Sequence, residues 1–240
     1  MALIYGNGLQ TNGSTQTARS AAGAGSSVTD NFSMSAWVKV NSFPGSGRAI
    51  FFDNGADDAR GWALYVDTAG VFRTDVAFVV DVSSGFTANT GVWYHVGVIR
   101  NAGTWQMYVN GSASGGTQTN NPNSGADYVS VGSGTDSGGN ANNFFDGVVD
   151  DARLYERAIS SSEMAQLYAN GNVWPYTDIS STSLKLWYKL DETSGTSAAD
   201  SSGGGATLTT ANSPSWVTGI VAIGSTAVTS SPTLLLMGVG

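Results

Sequence analysis

From Phe32 to Val40 apolar and polar residues alternate. Phe32, Met34, Ala36, Val38 and Val40 fall on one side, and Ser33, Ser35, Trp37 and Lys39 on the other. A repeat of two residues predicts a half-buried strand. Residues 49–53 and 62–67 read as further strands, closed by the turn signals Asn54-Gly55 and Ala69-Gly70. Residues 71–80 are rich in β-branched and aromatic side chains, which suit a pleated surface. Residues 93–100 and 104–109 flank Asn101-Ala102-Gly103 and predict a hairpin, with Asn110-Gly111 as the next tight turn. Between 112 and 143 Gly, Ser, Asn and Thr dominate, which predicts long surface loops around a short strand at 128–131.

One segment breaks this rhythm. Ser160 and Glu163 have the spacing of a capping box, and Met164, Leu167 and Tyr168 have helical spacing. Gly171 supplies a stop. One short helix near 161–170 is expected in a chain that is otherwise all-β.

The chain has 240 residues, which permits one large sandwich or two small domains. Its hydrophobic share of 41% can fill a sizeable core. Charged residues make up only 12%, so Ser, Thr, Asn and Gly must supply the polar surface. Ten scattered Lys and Arg against a net charge of −8 argue against nucleic acid as a partner, since phosphates need clustered cations. With no cysteine, disulfides and thiolate metal sites are excluded. The first residues lack the basic lead and apolar run of a Sec signal peptide. No apolar stretch is long enough to span a bilayer, so membrane insertion is not expected.

Five stretches share a common likeness: LQTNGSTQTAR (9–19), NFSMSAWVKV (31–40), WYHVGVIRNAGTWQMYVNG (93–111), FFDGVVDDARLYERAISSSEMAQLYANG (144–171) and LKLWYKLDETSGTSAADSSGGGATLTTANSPSWVTG (184–219). Together they resemble a laminin-G-like domain of the concanavalin A-like lectin/glucanase superfamily. The resemblance implies a jelly-roll sandwich of two antiparallel sheets. The stretch at 184–219 is similar to the text that opens such domains, yet here it comes last. Gly219 would run on almost seamlessly into Gly8, as expected of a circular permutation in which 184–219 supplies the opening strands of a single domain over 1–219. If 184–219 instead began a second domain, residues 220–240 would be too few to finish it. The connector 172–183 spans at most about 40 Å when extended. It can reach the sheet edge of its own chain or of a neighbour. The shorter path costs less loop entropy, which favours completion within the chain.

The chemistry is sparse. A glycoside hydrolase needs two positioned carboxylates. The nearest pairs are Asp57-Asp58 in a loop and Asp150-Asp151 and Asp191-Glu192, the latter two at structural positions of the family. His95 lies within a strand and reads as structural rather than as a base. No enzyme is expected. The resemblance implies a structural Ca²⁺ between the opening segment and the closing strand. Asp150 and Asp200 match its ligands, Asp191 is a further candidate, and carbonyls near Gly203 would complete an oxygen shell. Gly204 stands where the family usually has Asn, and the same carboxylates could simply cap turns. Both readings remain open at this point. Trp62, Trp93, Trp105, Trp174 and Tyr176 are candidate glycan platforms, whereas Trp37, Trp187 and Trp216 match family core positions. The loops 112–126 and 133–143 are polar enough to hold sugar, but no glycan-binding residue and no specific sugar follows. Residues 220–240 carry no charge and include Leu234, Leu235, Leu236 and Met237, which read as an apolar docking tail.

Two function classes follow. The first is a non-enzymatic virion structural protein, such as a phage capsid decoration or fibre subunit. It would join other virion proteins of capsid or tail, form a homo-oligomer, and present a surface to host glycans. The alternative is a lectin-like carbohydrate-binding module of a bacterial, extracellular protein.

Overall fold

The structure, a computed structural model, describes residues 2–55, 61–76, 80–122, 128–171, 173, 175 and 177–226. In chain order the strands begin with β1 (Ala2–Asn12), β2 (Thr17–Arg19), β3 (Phe32–Val40), β4 (Arg48–Asp53), β5 (Ala63–Asp67) and β6 (Val71–Val76). Next come β7 (Val80–Thr87), β8 (Trp93–Asn101), β9 (Thr104–Val109), β10 (Ser112–Gln118), β11 (Ser130–Val131) and β12 (Gly134–Thr135). After β13 (Ala141–Asn142) and β14 (Asp146–Tyr155) the helix α1 (Ser161–Asn170) intervenes. The chain closes with β15 (Leu184–Tyr188), β16 (Ser197–Ala198), β17 (Leu208–Ala211) and β18 (Ser215–Thr226).

The expected all-β sandwich of two antiparallel sheets is present. One sheet runs β10-β9-β8-β3-β14-β1-β18, with β15 also on β14, and the other runs β16-β17-β2-β11-β4-β5-β6-β7. The inner face of β3 is as its alternation predicts, with Phe32, Met34, Ala36, Val38 and Val40 buried. They meet Phe51, Phe52, Leu64, Val66 and Phe72 in one core. Trp62 stacks on Phe32 at 3.9 Å between ring centroids, and Phe32 meets Trp105 edge-on at 5.0 Å.

The outer face of β3 departs from expectation. Ser33, Ser35 and Trp37 are buried too. The covering layer comes from far along the chain: Ser33 Oγ donates to the Arg157 carbonyl, and Tyr168 of α1 stacks on Trp37 at 5.5 Å. The capping box forms as predicted, with Ser160 Oγ accepting from the Glu163 N–H at 3.1 Å and Glu163 Oε2 accepting from the Ser160 N–H at 2.7 Å. Gly171 ends the helix in right-handed geometry (φ −61°), so conformational freedom is not its role. A side chain there would run into the Trp37 ring. At the β8–β9 hairpin Asn101 pairs with Thr104, and Ala102 and Gly103 both take positive φ, as a type I′ turn requires.

The Gly- and Ser-rich segment after Asn110 is not all loop. Residues 112–118 form β10 on the sheet edge, held by ladder bonds to β9 rather than by apolar side chains. The segment 184–219 lies in the same two sheets as the rest of this chain. β15 pairs with the second half of β14, β17 with β2, and β18 with β1. Residues 220–226, expected in a tail, continue β18 and pair with Ala2–Tyr5 through Ala2↔Thr226 and Tyr5↔Ala222. Leu234, Leu235, Leu236 and Met237 lie outside the described residues, as do Asp57, Asp58, Trp174 and Tyr176.

Candidate functional site

On the outer face of the second sheet, three stretches distant in sequence form a groove of about 810 Å³. That volume falls within the usual range of small-molecule sites. One wall is β2 and β17, whose registered pairs are Thr209↔Arg19, Thr210↔Ala18 and Ala211↔Thr17. Strand alternation sends Ala18 into the core and turns Thr17 and Arg19 to the groove. The opposite wall is the β12–β13 hairpin tip, Gly138–Ala141, followed by Phe144. Asp136 fixes that tip by accepting from the Asn140 N–H at 2.7 Å and from its side-chain amide at 3.0 Å. These bonds, the Asn140 side chain foremost, hold the Asp136 carboxyl below its ordinary pKa. Gly139 has φ +79° and sits against the Tyr128 ring, where a side chain would collide. At the far end Gln16 donates to the carbonyls of Asn212 and Ser213, and Asn212 donates to that of Thr15.

Among the described residues Arg19 is the one charged member of this lining, and no carboxylate belongs to it. Its guanidinium lies over the Tyr128 ring at 4.8 Å. Among the described residues no hydrogen bond or ion pair to its side chain is present. Phe144 is half-buried and lines a second cavity of about 380 Å³ as well, together with Asn12, Phe43, Arg48, Asn143 and Asp146. The ring therefore stands between two adjoining hollows.

The residues singled out in the sequence lie elsewhere. Trp62 and Trp105 are fully buried, so they hold the core and not a ligand. Trp93 is half-buried beneath Lys39 at 5.1 Å. Trp187, expected in the core, alternates with Leu186 and Tyr188 and so faces outward, between Arg153 at 4.2 Å and Lys189 at 4.5 Å.

Of the proposed calcium ligands, the structure brings Asp150 and Asp191 together. β14 changes partner at Asp150-Asp151: β1 pairs with residues 146–149 and β15 with 152–155. Asp151 takes φ +46° at this irregularity. β18 bulges opposite Gly6, which takes the N–H groups of Ile220 and Val221 out of the ladder. Asp150 Oδ2 accepts both, at 2.8 and 3.1 Å. Its Oδ1 is buried without a partner. Burial pushes the Asp150 carboxyl well up, and Asp151 and Asp191 add to the rise. Burial raises Asp191 to about 6. Asp200 serves a different turn: its Oδ1 accepts from the N–H groups of Trp187 and Ser202, and its Oδ2 from that of Ala206. Gly203 lies in that turn with φ +90°. The four residues thus do not form one oxygen shell, and among the described residues no three carboxylates or imidazoles are grouped to hold a metal.

His95 is buried against Trp37 and Tyr168, and neither ring nitrogen has a partner. Burial first, and the Arg153 charge second, push its pKa from 6.5 down to about 3. The unfolded chain therefore takes up a proton that the folded chain refuses. The stability this neutral histidine allows is complete above pH 6.5 and falls as the pH drops towards 3. Between pH 7 and 4.5 the loss should be about 2–3 kcal/mol. His95→Gln should remove it, as urea unfolding of both proteins at the two pH values will show. An acid limb equally steep in the variant would refute this origin. Asp191 acts in the opposite sense, since its raised pKa favours the fold below about 4 and costs stability as pH rises through 6.

Residues 10–165 match a family described as the concanavalin A-like lectin/glucanases superfamily. The chain belongs to this superfamily. Among curated proteins none matches it in sequence. Solved structures share its fold. A candidate carbohydrate-binding protein from Bacteroides ovatus aligns with TM-score 0.65 and 17% identity, over 92% of this chain and 62% of the other. The superfamily member described here therefore spans 62% of the length of that relative. Domain 4 of AbnA, a GH43 extracellular arabinanase from Geobacillus stearothermophilus solved with arabinotriose, aligns at 0.50 and 22% identity, over 66% and 75% of the two chains. A heptameric SAP-like pentraxin from Limulus polyphemus aligns at 0.52 and 15%, over 71% and 85%.

Proposed function

We propose that this chain is a carbohydrate-binding module that binds its ligand in the groove between β2, β17 and the β12–β13 hairpin, without turnover. The observation that carries the reading is Phe144, an aromatic ring at the junction of two cavities of about 810 and 380 Å³. A chain of sugars can cross such a ridge, one ring face on the phenyl and its neighbours in either hollow. Hydroxyls of Thr15 and Thr209 and the Arg19 guanidinium are then at hand for sugar hydroxyls. The Bacteroides protein and the arabinanase domain support this reading, since each is named for carbohydrate or was solved with one. The virion reading draws on the low charge, the absence of cysteine and of a catalytic set, and the apolar tail; the docking residues Leu234, Leu235, Leu236 and Met237 lie outside the described residues, and the comparisons add nothing to it. We further read residues 184–219 as the relocated opening of the domain. The in-chain pairing of β15, β17 and β18 supports that reading.

The test is a glycan array followed by titration calorimetry. At least one oligosaccharide should bind, and Phe144→Ala should weaken it about tenfold or more, the loss of roughly 1–3 kcal/mol of aromatic contact, while leaving the melting temperature nearly unchanged. Binding that Phe144→Ala leaves intact would place the ligand elsewhere.

A further inference from the structure

We infer that the groove selects an acidic glycan, with the carboxylate of a uronic or similar sugar acid seated on Arg19. This rests on the proposed binding role and names the ligand class within it. In a chain of net charge −8, the groove lining holds one cation and no carboxylate among the described residues. Most other arginines are already engaged. Arg73 pairs with Asp67 and Asp81, Arg153 with Asp151 and Asp178, and Arg157 with Glu163. Arg19 alone points into a cavity with its donors uncommitted among the described residues. The guanidinium carbon lies over the Tyr128 ring at 4.8 Å, a cation–π contact that anchors the group while its N–H donors stay free for a ligand. A planar fork presented in this way matches a carboxylate through two parallel N–H···O bonds, and a preordered fork loses less entropy on binding. Asp136 is the acidic side chain of the adjoining hairpin. It lies outside the lining and is bonded by Asn140 at 2.7 and 3.0 Å; the Arg19 charge helps to lower its pKa, yet no hydrogen bond or ion pair joins the two among the described residues, so the Arg19 donors remain for a ligand. Thr209, registered directly against Arg19, offers a hydroxyl beside the same subsite.

The test uses the full chain and paired probes: oligosaccharides of galacturonan, glucuronan, alginate and hyaluronan, each beside its carboxyl-reduced form, with neutral arabinan and xylan oligosaccharides as a third set. The expected result is binding of at least one acidic oligosaccharide, weakened about tenfold or more by carboxyl reduction and by Arg19→Gln, with Arg19→Lys in between. Unchanged melting temperatures would show that the variants fold. Equal affinity for an acidic glycan and its reduced form would overturn the inference, as would indifference to Arg19→Gln. Binding confined to neutral glycans that still depends on Phe144 would overturn the inference and leave the binding role standing. No binding by any member of the three sets would count against both.

Discussion

Arg153→Met is expected to lower the free energy of unfolding by about 3–5 kcal/mol, because it strands a buried carboxylate. Arg153 is 1% exposed, and its Nε donates to Asp151 Oδ1 at 3.0 Å while Nη1 donates to Asp178 at 2.6 Å. Its plane lies over Trp187 at 4.2 Å. Without the guanidinium, Asp151 keeps the 2.6 Å bond from Trp187 Nε1 and loses its counter-charge. Trp187 and Asp178 belong to the chain beyond α1, so this one side chain fastens the C-terminal segment to β14. Adding Asp151→Asn to Arg153→Met should recover part of the loss, since both charges then leave together. Urea unfolding of wild type, both single variants and the double variant gives the coupling. A cost below about 1 kcal/mol for Arg153→Met would mean that the network contributes little.

Trp62→Ala is the second large effect, also about 3–5 kcal/mol. The indole is fully buried, stacks on Phe32 at 3.9 Å with 14° between planes, and so reaches Trp105 through Phe32. These rings come from three separate strand regions, and truncation would leave a void that neither sheet can close without leaving its ladder. Trp62→Phe should lose less, because the stack survives. Thermal unfolding checks both, and equal losses for the two variants would show that stacking and volume at this site do not matter.

The inner faces of the strands were legible in the sequence because a sandwich core imposes a two-residue period, as in Phe32 to Val40. The type I′ hairpin and the capping box were legible for the same reason: each is settled by a few neighbouring residues. The second covering layer was not. Nothing near Ser33 or Trp37 signals that Arg157 and Tyr168, more than a hundred residues later, will bury them. Trp62, Trp93 and Trp105 drew attention as platforms because an indole suits both a sugar face and a core, and only the fold decides. Arg19, Phe144 and Thr209 carry the candidate site, yet no spacing relates them. β2, the residues after β13, and β17 meet only once the second sheet is assembled. A signal was present in Arg19, a lone cation outside any charge cluster, but it gains meaning only beside Tyr128 and the groove. Of the candidate metal ligands, Asp150 and Asp191 lie close enough to interact electrostatically, whereas Asp200 serves its own turn.

The central claim is that ligand enters the groove between β2, β17 and the β12–β13 hairpin. The most direct test is nuclear magnetic resonance of the labelled chain titrated with the tightest oligosaccharide from the array. The account predicts that amide shifts concentrate on Thr17–Arg19, residues 138–144 and residues 209–212, with the Arg19 side-chain resonance moving in step. Shifts clustered on the opposite sheet, or around Asp150 and Asp191, with the groove silent, would contradict it.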